Sequence, residues 1–205
     1  MLQELEKMCH DLQFDEERAL QILRETDPNQ EFAKSHVSWH PYPTTLLTEA
    51  VVAANLRMVE LLLKNGADPN FIFDNETENV LWDLQYPGDT EEETPIRLQI
   101  TQLMLERYNA DPSIVIEGED LFSFVAWSVF NDDYGELWKY RAQFFVLLVA
   151  YGGKSDYCMP EIVREFDKSD MQQYRFYLVP AGKDTFSGVI VDKEKNIFAY
   201  LMSAE

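Results

Sequence analysis

Apolar residues recur at the three-to-four-residue spacing of amphipathic helices in three segments of the chain. Each apolar run is followed, at the same spacing, by a short turn that contains Gly or Asn. The runs cover residues 58–63, 101–106 and 144–149, and the turns close at Asp68, Asp111 and Lys154. Successive turns are 43 residues apart in both intervals. This regular spacing predicts a repeated helical unit.

The turn residues give a physical reason for each predicted helix to stop. Gly66, Asn109 and Gly152 occupy equivalent positions, where a helix commonly ends in a left-handed conformation that Gly and Asn tolerate. Pro69 and Pro112 follow soon after the first two turns, and a proline there prevents the helix from resuming. We therefore expect a positive φ angle at Gly66.

One unit carries a specific resemblance. Residues 45–50 read Thr-Leu-Leu-Thr-Glu-Ala, and residues 55–70 read Asn-Leu-Arg-Met-Val-Glu-Leu-Leu-Leu-Lys-Asn-Gly-Ala-Asp-Pro-Asn. This unit resembles the ankyrin-repeat family, although Leu46 stands where the family's Thr-Pro-Leu-His opening has proline and Thr48 where it has histidine. Residues 80–112 resemble a degenerate second repeat. Residues 121–148 resemble a third, which is recognised mainly by its period and by Gly152.

The resemblance covers about residues 43–155 and implies a helix pair in each repeat. The later repeats are about ten residues longer than the family's usual period, and residues 85–94 and 131–140 are natural places for insertions between their two helices. Residues 1–42 are predicted to form an amino-terminal helical capping unit and a loop, with helices at residues 2–12 and 16–24.

Residues 156–205 follow a different pattern. Residues 160–166 predict one more helix, and period-two runs of β-branched and aromatic residues predict strands at 174–179, 185–191 and 197–202. This carboxy-terminal helix and β-hairpin or sheet is either a cap over the last repeat or an edge that pairs with a partner or a second copy. The predicted fold is mostly α: an ankyrin-like helical solenoid with a small C-terminal antiparallel β-sheet, α+β overall.

The chain is strongly acidic, with 37 acidic and 17 basic residues and a formal net charge of −20. Such a surface repels phosphate backbones, so nucleic acid is not expected as a partner. Two interpretations of the charge stand: it keeps the protein soluble, or it attracts a basic partner. The ankyrin resemblance implies protein binding by the first helices and by the fingers between repeats, here residues 71–78 and 113–120.

The candidate partner-binding residues are the acidic side chains of these fingers and insertions, together with aromatic side chains beside them. They are Asp74, Glu76, Glu78, Trp82, Glu91, Glu92, Glu93, Glu117, Glu119, Asp120, Trp127, Asp132, Asp133 and Tyr134. At interfaces, aromatic anchors supply contact energy and charges set orientation. Packing onto the helices is the alternative role for the aromatic residues. We predict a non-enzymatic protein–protein interaction module for a basic protein, and an inhibitor or immunity protein is one form that fits.

Patterns for catalysis and metal binding are weak. His36 and His40 have a His-x-x-x-His spacing but no clear third ligand, so we interpret them as loop residues. Cys9 and Cys158 are too far apart in sequence to suggest a cysteine-rich zinc site or a disulfide framework. No metal or cofactor is predicted. No apolar stretch is long enough for a membrane span, and we expect a cytoplasmic protein.

Two other functions remain open at this point. One is a structural adaptor that self-associates through an edge strand. The other is a regulatory enzyme with a site near the carboxy-terminal sheet.

Overall fold

The computed structural model describes residues 1–33, 43–73, 79–88, 90–131, 135–153, 158–162, 175–180, 186–191 and 197–203. The chain divides into two compact units. The first unit contains Met1–Leu84 and Gly88–Ala110, and the second contains Gln85–Pro87 and Asp111–Glu205. The predicted domain boundaries after residues 42 and 155 follow the repeats instead of these units, and they stay predictions.

The first unit is built mainly from paired helices. Its elements are α1 (Leu2–Cys9), α2 (Glu16–Leu23), β1 (Phe32–Ala33), β2 (Pro43–Thr44), α3 (Leu46–Val52), α4 (Leu56–Lys64), α5 (Val80–Asp83) and α6 (Glu93–Arg107). Helix α1 contacts α2 and α3, α3 contacts α4 and α5, and α4 contacts α6. The predicted helix pairs are confirmed, with the first helix of the predicted second repeat reduced to the single turn of α5.

Polar residues start these helices. The side chains of Asp15, Thr45, Asn55 and Asn79 accept backbone hydrogen bonds at the starts of α2, α3, α4 and α5. At α3, Thr45 Oγ1 accepts from the backbone N–H of Thr48 at 3.3 Å. Because this cap satisfies a first-turn N–H, the helix begins normally although Leu46 stands where the ankyrin opening that this segment resembles has proline.

The second unit contains a hairpin, two long helices and a sheet. Its elements are β3 (Val115–Ile116), β4 (Glu119–Asp120), α7 (Leu121–Asn131), α8 (Gly135–Ala150), β5 (Cys158–Ile162), β6 (Arg175–Pro180), β7 (Phe186–Val191) and β8 (Ile197–Ser203). Helix α7 contacts α8, and α8 contacts β6. Phe122 and Phe145 are fully buried between the two helices, with ring centroids 4.9 Å apart.

The three predicted helix stops all have left-handed backbone. The φ angles are 96° at Gly66, 53° at Asn109 and 86° at Gly152. At the first stop the N–H of Ala67 donates to Leu62 O at 3.0 Å, and the N–H of Gly66 donates to Leu63 O at 3.3 Å. These bonds satisfy carbonyl groups at the end of α4, which confirms the expectation for Gly66.

Two asparagines join successive helix pairs in the first unit. Asn29 Nδ2 donates to Gly66 O at 3.1 Å, and Asn29 Oδ1 accepts from the N–H of Asp68 at 2.8 Å. After the next helix pair, Asn70 Nδ2 donates to Asn109 O at 3.0 Å. Each asparagine therefore binds the left-handed stop of the next helix pair. The amino-terminal pair α1–α2 is joined to its neighbour by the same chemistry as the recognised repeat.

The predicted insertion at residues 131–140 is wrong for the described part of that range. Asn131 ends α7, and residues 135–140 form the first turns of α8, which has 16 residues against 9 in α4. Tyr140 is buried and its ring stacks on Phe144, with centroids 6.4 Å apart. The apolar phase of α8 thus extends back from Phe144, and the extra residues lengthen the helix. Likewise, residues 93 and 94 of the other predicted insertion belong to α6.

The carboxy-terminal sheet has four antiparallel strands in the order β5-β8-β7-β6. The three predicted strands are confirmed as β6, β7 and β8. The helix predicted at residues 160–166 is wrong for residues 160–162, which belong to β5, while residues 163–166 lie outside the described residues. Pro160 pairs with Leu201 of β8. Among the described strands β5 is an edge, where a residue without an N–H is tolerated, and pairing with β8 overrides the local helical pattern.

Candidate functional site

The predicted finger at residues 113–120 forms a tight β-hairpin in the second unit. Strands β3 and β4 are antiparallel, with Ile116 paired to Glu119 across a two-residue turn. The turn residues Glu117 and Gly118 both have positive φ angles, 51° and 84°. Two consecutive positive φ values characterise the type I′ turn, whose twist matches that of the adjoining strands. The finger is therefore a defined structure rather than an open loop.

One side chain of this hairpin is buried, and several others are exposed. Ile116 is buried, whereas Val115 is 54% exposed and both Glu117 and Glu119 are exposed. We call Val115, Glu117 and Glu119 the hairpin surface. The register pairs Val115 with Asp120 and Ile116 with Glu119, so Val115 and Glu119 lie on opposite faces of the hairpin and Glu117 lies in its turn. Two exposed carboxylates on a backbone of fixed shape suit contact with a cationic partner.

Asp120 has a structural contact as well as a predicted binding role. Its Oδ1 accepts from the backbone N–H of Ser123 at 2.6 Å, and its Oδ2 accepts from Ser123 Oγ at 2.5 Å. The carboxylate thereby caps the amino end of α7, where negative charge is also favoured by the helix dipole. Its contribution to partner binding stays a prediction.

The predicted acidic insertion between α5 and α6 lies at the start of α6. Glu91 and Glu92 are exposed, whereas Glu93 is half-buried and folds back against Gly88. A Cβ atom at Gly88 would collide with the Glu93 side chain, and its φ angle of 90° also requires glycine. Trp82, in α5, is half-buried. Of the glutamates in this triplet, the first two are the ones available to a partner.

Several candidate residues cannot be placed in this way. Asp74, Glu76, Glu78, Asp132, Asp133 and Tyr134 lie outside the described residues, as do His36 and His40. Trp127 is part of α7. Among the described residues, no group of three or more His, Cys, Asp and Glu side chains is arranged to hold a metal ion. None of the described helices is both long enough and apolar enough to cross a membrane.

Sequence reasoning missed a buried polar cluster in the first unit. Glu49 of α3 is buried, and its Oε1 accepts from Thr44 Oγ1 at 2.8 Å. Its Oε2 lies 3.1 Å from His10 Nε2, at the end of α1. The cluster therefore joins α1, α3 and strand β2. A signal was present in the sequence, because Glu49 stands among the apolar positions of α3.

Cys9 lies beside this cluster but is not suited to act as a nucleophile. Its thiol donates to Leu46 O at 3.4 Å. Burial raises the pKa of the Cys9 thiol well above its ordinary value, and the carboxylates of Glu49 and Glu6 raise it further. The Cys9 thiol is therefore protonated at neutral pH. Because only the thiolate is strongly nucleophilic, Cys9 acts as a packed side chain.

Arg97 is a second buried group that sequence reasoning missed. Its guanidinium group donates from Nη1 to Val51 O at 3.2 Å and from Nη2 to Asp83 O at 2.5 Å. These carbonyls belong to the last turns of α3 and α5, where a cation is favoured by the helix dipoles. Arg97 therefore fixes α6 to the ends of two first helices, and its role is to position the scaffold.

Comparison with known proteins bears on one repeat directly. An ankyrin-repeat family model matches residues 44–74, the range that contains α3 and α4. The resemblance to the ankyrin-repeat family is thereby confirmed for this segment. Ankyrin repeats generally mediate protein–protein interaction and are typically not enzymes. No curated protein matches the chain.

Proposed function

We propose that this chain, with its ankyrin repeat at residues 44–74, is a protein-binding module for a basic protein. The observation that supports the proposal is the hairpin surface, in which a tight turn holds Glu117 and Glu119 in solvent and the strand before the turn exposes Val115. An interface needs apolar contact for affinity and complementary charge for orientation, and the hairpin exposes side chains of both kinds.

The charge of the whole chain supports the same kind of partner. A net charge of −20 produces a long-range field that accelerates encounter with cationic proteins and disfavours anionic ones. Because exposed charges mainly change association rates, the exposed Glu91 and Glu92 are proposed to steer the partner. Fast, charge-driven capture suits an inhibitor or immunity protein that neutralises a basic enzyme, which is the specific form of this proposal.

The remaining candidate residues enter the proposal on sequence grounds. Asp74, Glu76 and Glu78 belong to the finger that follows the matched repeat, and Asp132 and Asp133 lie between α7 and α8. All five would add negative charge to partner recognition. Each can be tested by the same charge reversal as the hairpin surface.

Selection of binding peptides from a random library shows which sequences the full-length chain prefers, even when its partner is unidentified. The test variant combines Glu117→Lys with Glu119→Lys. A matched control combines Glu17→Lys with Glu25→Lys, two exposed glutamates of the first unit, so that the change in net charge is identical. We expect the unmodified chain and the control to enrich Lys- and Arg-rich peptides, and the test variant to lose that enrichment.

The salt dependence of the selected peptides completes the test. Their association should slow as ionic strength rises from about 50 mM to about 500 mM, since the Debye length shortens from roughly 14 Å to roughly 4 Å. Enrichment of neutral or acidic peptides with salt-independent binding would contradict the proposal. Equal loss in the test and control variants would show that net charge, and not the hairpin surface, selects the peptides.

A further inference from the structure

Tyr86 presents an aromatic ring at the surface of the second unit. The residue is 49% exposed, and Cζ of Arg141 lies over its ring, 5.3 Å from the centroid. Arg141 belongs to α8 and is itself only 6% exposed. A guanidinium group at this distance attracts the electron-rich face of the ring. The ring therefore contacts a buried cation, while about half of the residue's surface is exposed.

The backbone on both sides of Tyr86 is also constrained. Leu84 and Gln85, which precede it, are buried, and Pro87, which follows it, has a fixed φ angle. A tyrosine has few rotatable bonds, and here the contact with Arg141 restricts them further. A partner that contacts Tyr86 therefore loses little affinity to ordering this side chain.

We infer that the exposed side of Tyr86 stacks against an arginine of the partner, an inference that rests on the proposed function. Arginine fits because its guanidinium group is planar, weakly hydrated and able to stack on aromatic rings, whereas the lysine ammonium group is compact and strongly hydrated. The contact with Arg141 shows that this ring accepts a guanidinium group. Tyr86 therefore adds selection for arginine to the general attraction of basic residues.

A second guanidinium group is compatible with the charge of Arg141. The incoming group would approach from solvent, where water and salt screen its repulsion from a cation beyond the ring. The chain as a whole carries a net charge of −20, which favours rather than opposes the approach of a cation. Charge alone does not distinguish arginine from lysine, so the aromatic contact predicts a measurable difference between them.

Acetylated octa-arginine and octa-lysine peptides carry equal charge, so a difference between their affinities reports on this contact. Their binding to the full chain is followed by fluorescence anisotropy. The variants are Tyr86→Phe, which keeps the aromatic face, and Tyr86→Leu, which keeps apolar bulk without it. Tyr108→Leu, at a half-buried tyrosine of the first unit, is the matched control. Thermal melts of each variant verify that the fold is retained.

We expect Tyr86→Leu to weaken octa-arginine binding by about 2- to 5-fold, the range of an exposed cation–π contact, and to leave octa-lysine binding unchanged. Tyr86→Phe and Tyr108→Leu should bind both peptides as the unmodified chain does. An equal effect of Tyr86→Leu on both peptides, or no effect on either, overturns the inference while the proposed function stands. Failure of the unmodified chain to bind either peptide overturns both.

Discussion

Leu62 provides a quantitative test of the helical core. It lies in α4, has no exposed surface, and belongs to a helix that contacts both α3 and α6. Leu62→Ala removes three carbon atoms, which costs about 2.4 kcal/mol in lost transfer free energy. An incompletely filled cavity of roughly 40 Å³ adds about 1 kcal/mol. We therefore expect the free energy of unfolding to fall by about 3 kcal/mol.

Urea denaturation followed by circular dichroism measures this loss. With an m-value of about 2 kcal/mol per molar urea, the midpoint should fall by roughly 1.5 M. Leu12→Ala is the matched control, because the same atoms are removed from a side chain that is 65% exposed, and its loss should stay within about 0.5 kcal/mol. A loss below about 1 kcal/mol for Leu62→Ala, or similar losses for both variants, would refute the packing described for α4.

Three further changes test other features. Gly66→Val should destabilise the fold by more than about 1 kcal/mol, because an L-residue resists a φ of 96°, while Gly66→Asn should retain most of the stability; equal losses would contradict this reasoning. Asn29→Ala should cost about 1–3 kcal/mol in the same melts by removing two hydrogen bonds, and an unchanged midpoint would mean that the joint contributes nothing. The hydrogen bond from Arg18 holds the pKa of Glu4 below its ordinary value, so this pair contributes stability above that value and loses it as pH falls through the lowered pKa; Arg18→Gln should raise the pKa measured by NMR, and an unchanged titration would disprove the assignment.

Sequence reasoning succeeded where the local chemistry of a residue decides the structure. The helix stop at Gly66 follows from the freedom of glycine at positive φ, and Asn109 ends α6 for a related reason. The strands β6, β7 and β8 follow from period-two patterns of β-branched and aromatic residues. The acidic, exposed character of Glu117 and Glu119 could also be predicted, because charged residues in a finger remain in solvent.

Distant contacts decide the features that the sequence did not reveal. Pro160 lies in a strand because β8 pairs with it from about forty residues further along the chain. His10 and Glu49 meet across 39 positions, and Arg97 reaches Val51 across 46. The apolar pattern of α3 marks Glu49 as buried, but a single sequence does not identify the distant partner in such pairs. The contact between Tyr86 and Arg141 is a similar case, since only the folded chain brings the two side chains together.

The asparagine joints connect helix pairs whose second helices differ in length. Asn29 and Asn70 bind the carboxyl ends of α4 and α6, and these helices contain 9 and 15 residues. The joint thus depends on where a helix ends and is indifferent to where it begins, so growth at the amino end is accommodated away from the contact. Residues 66–70 contain both parts of such a joint, the left-handed stop and the Asp-Pro-Asn segment that follows it. We expect that a foreign helix pair with both parts can be inserted between α2 and α3 as an additional unit.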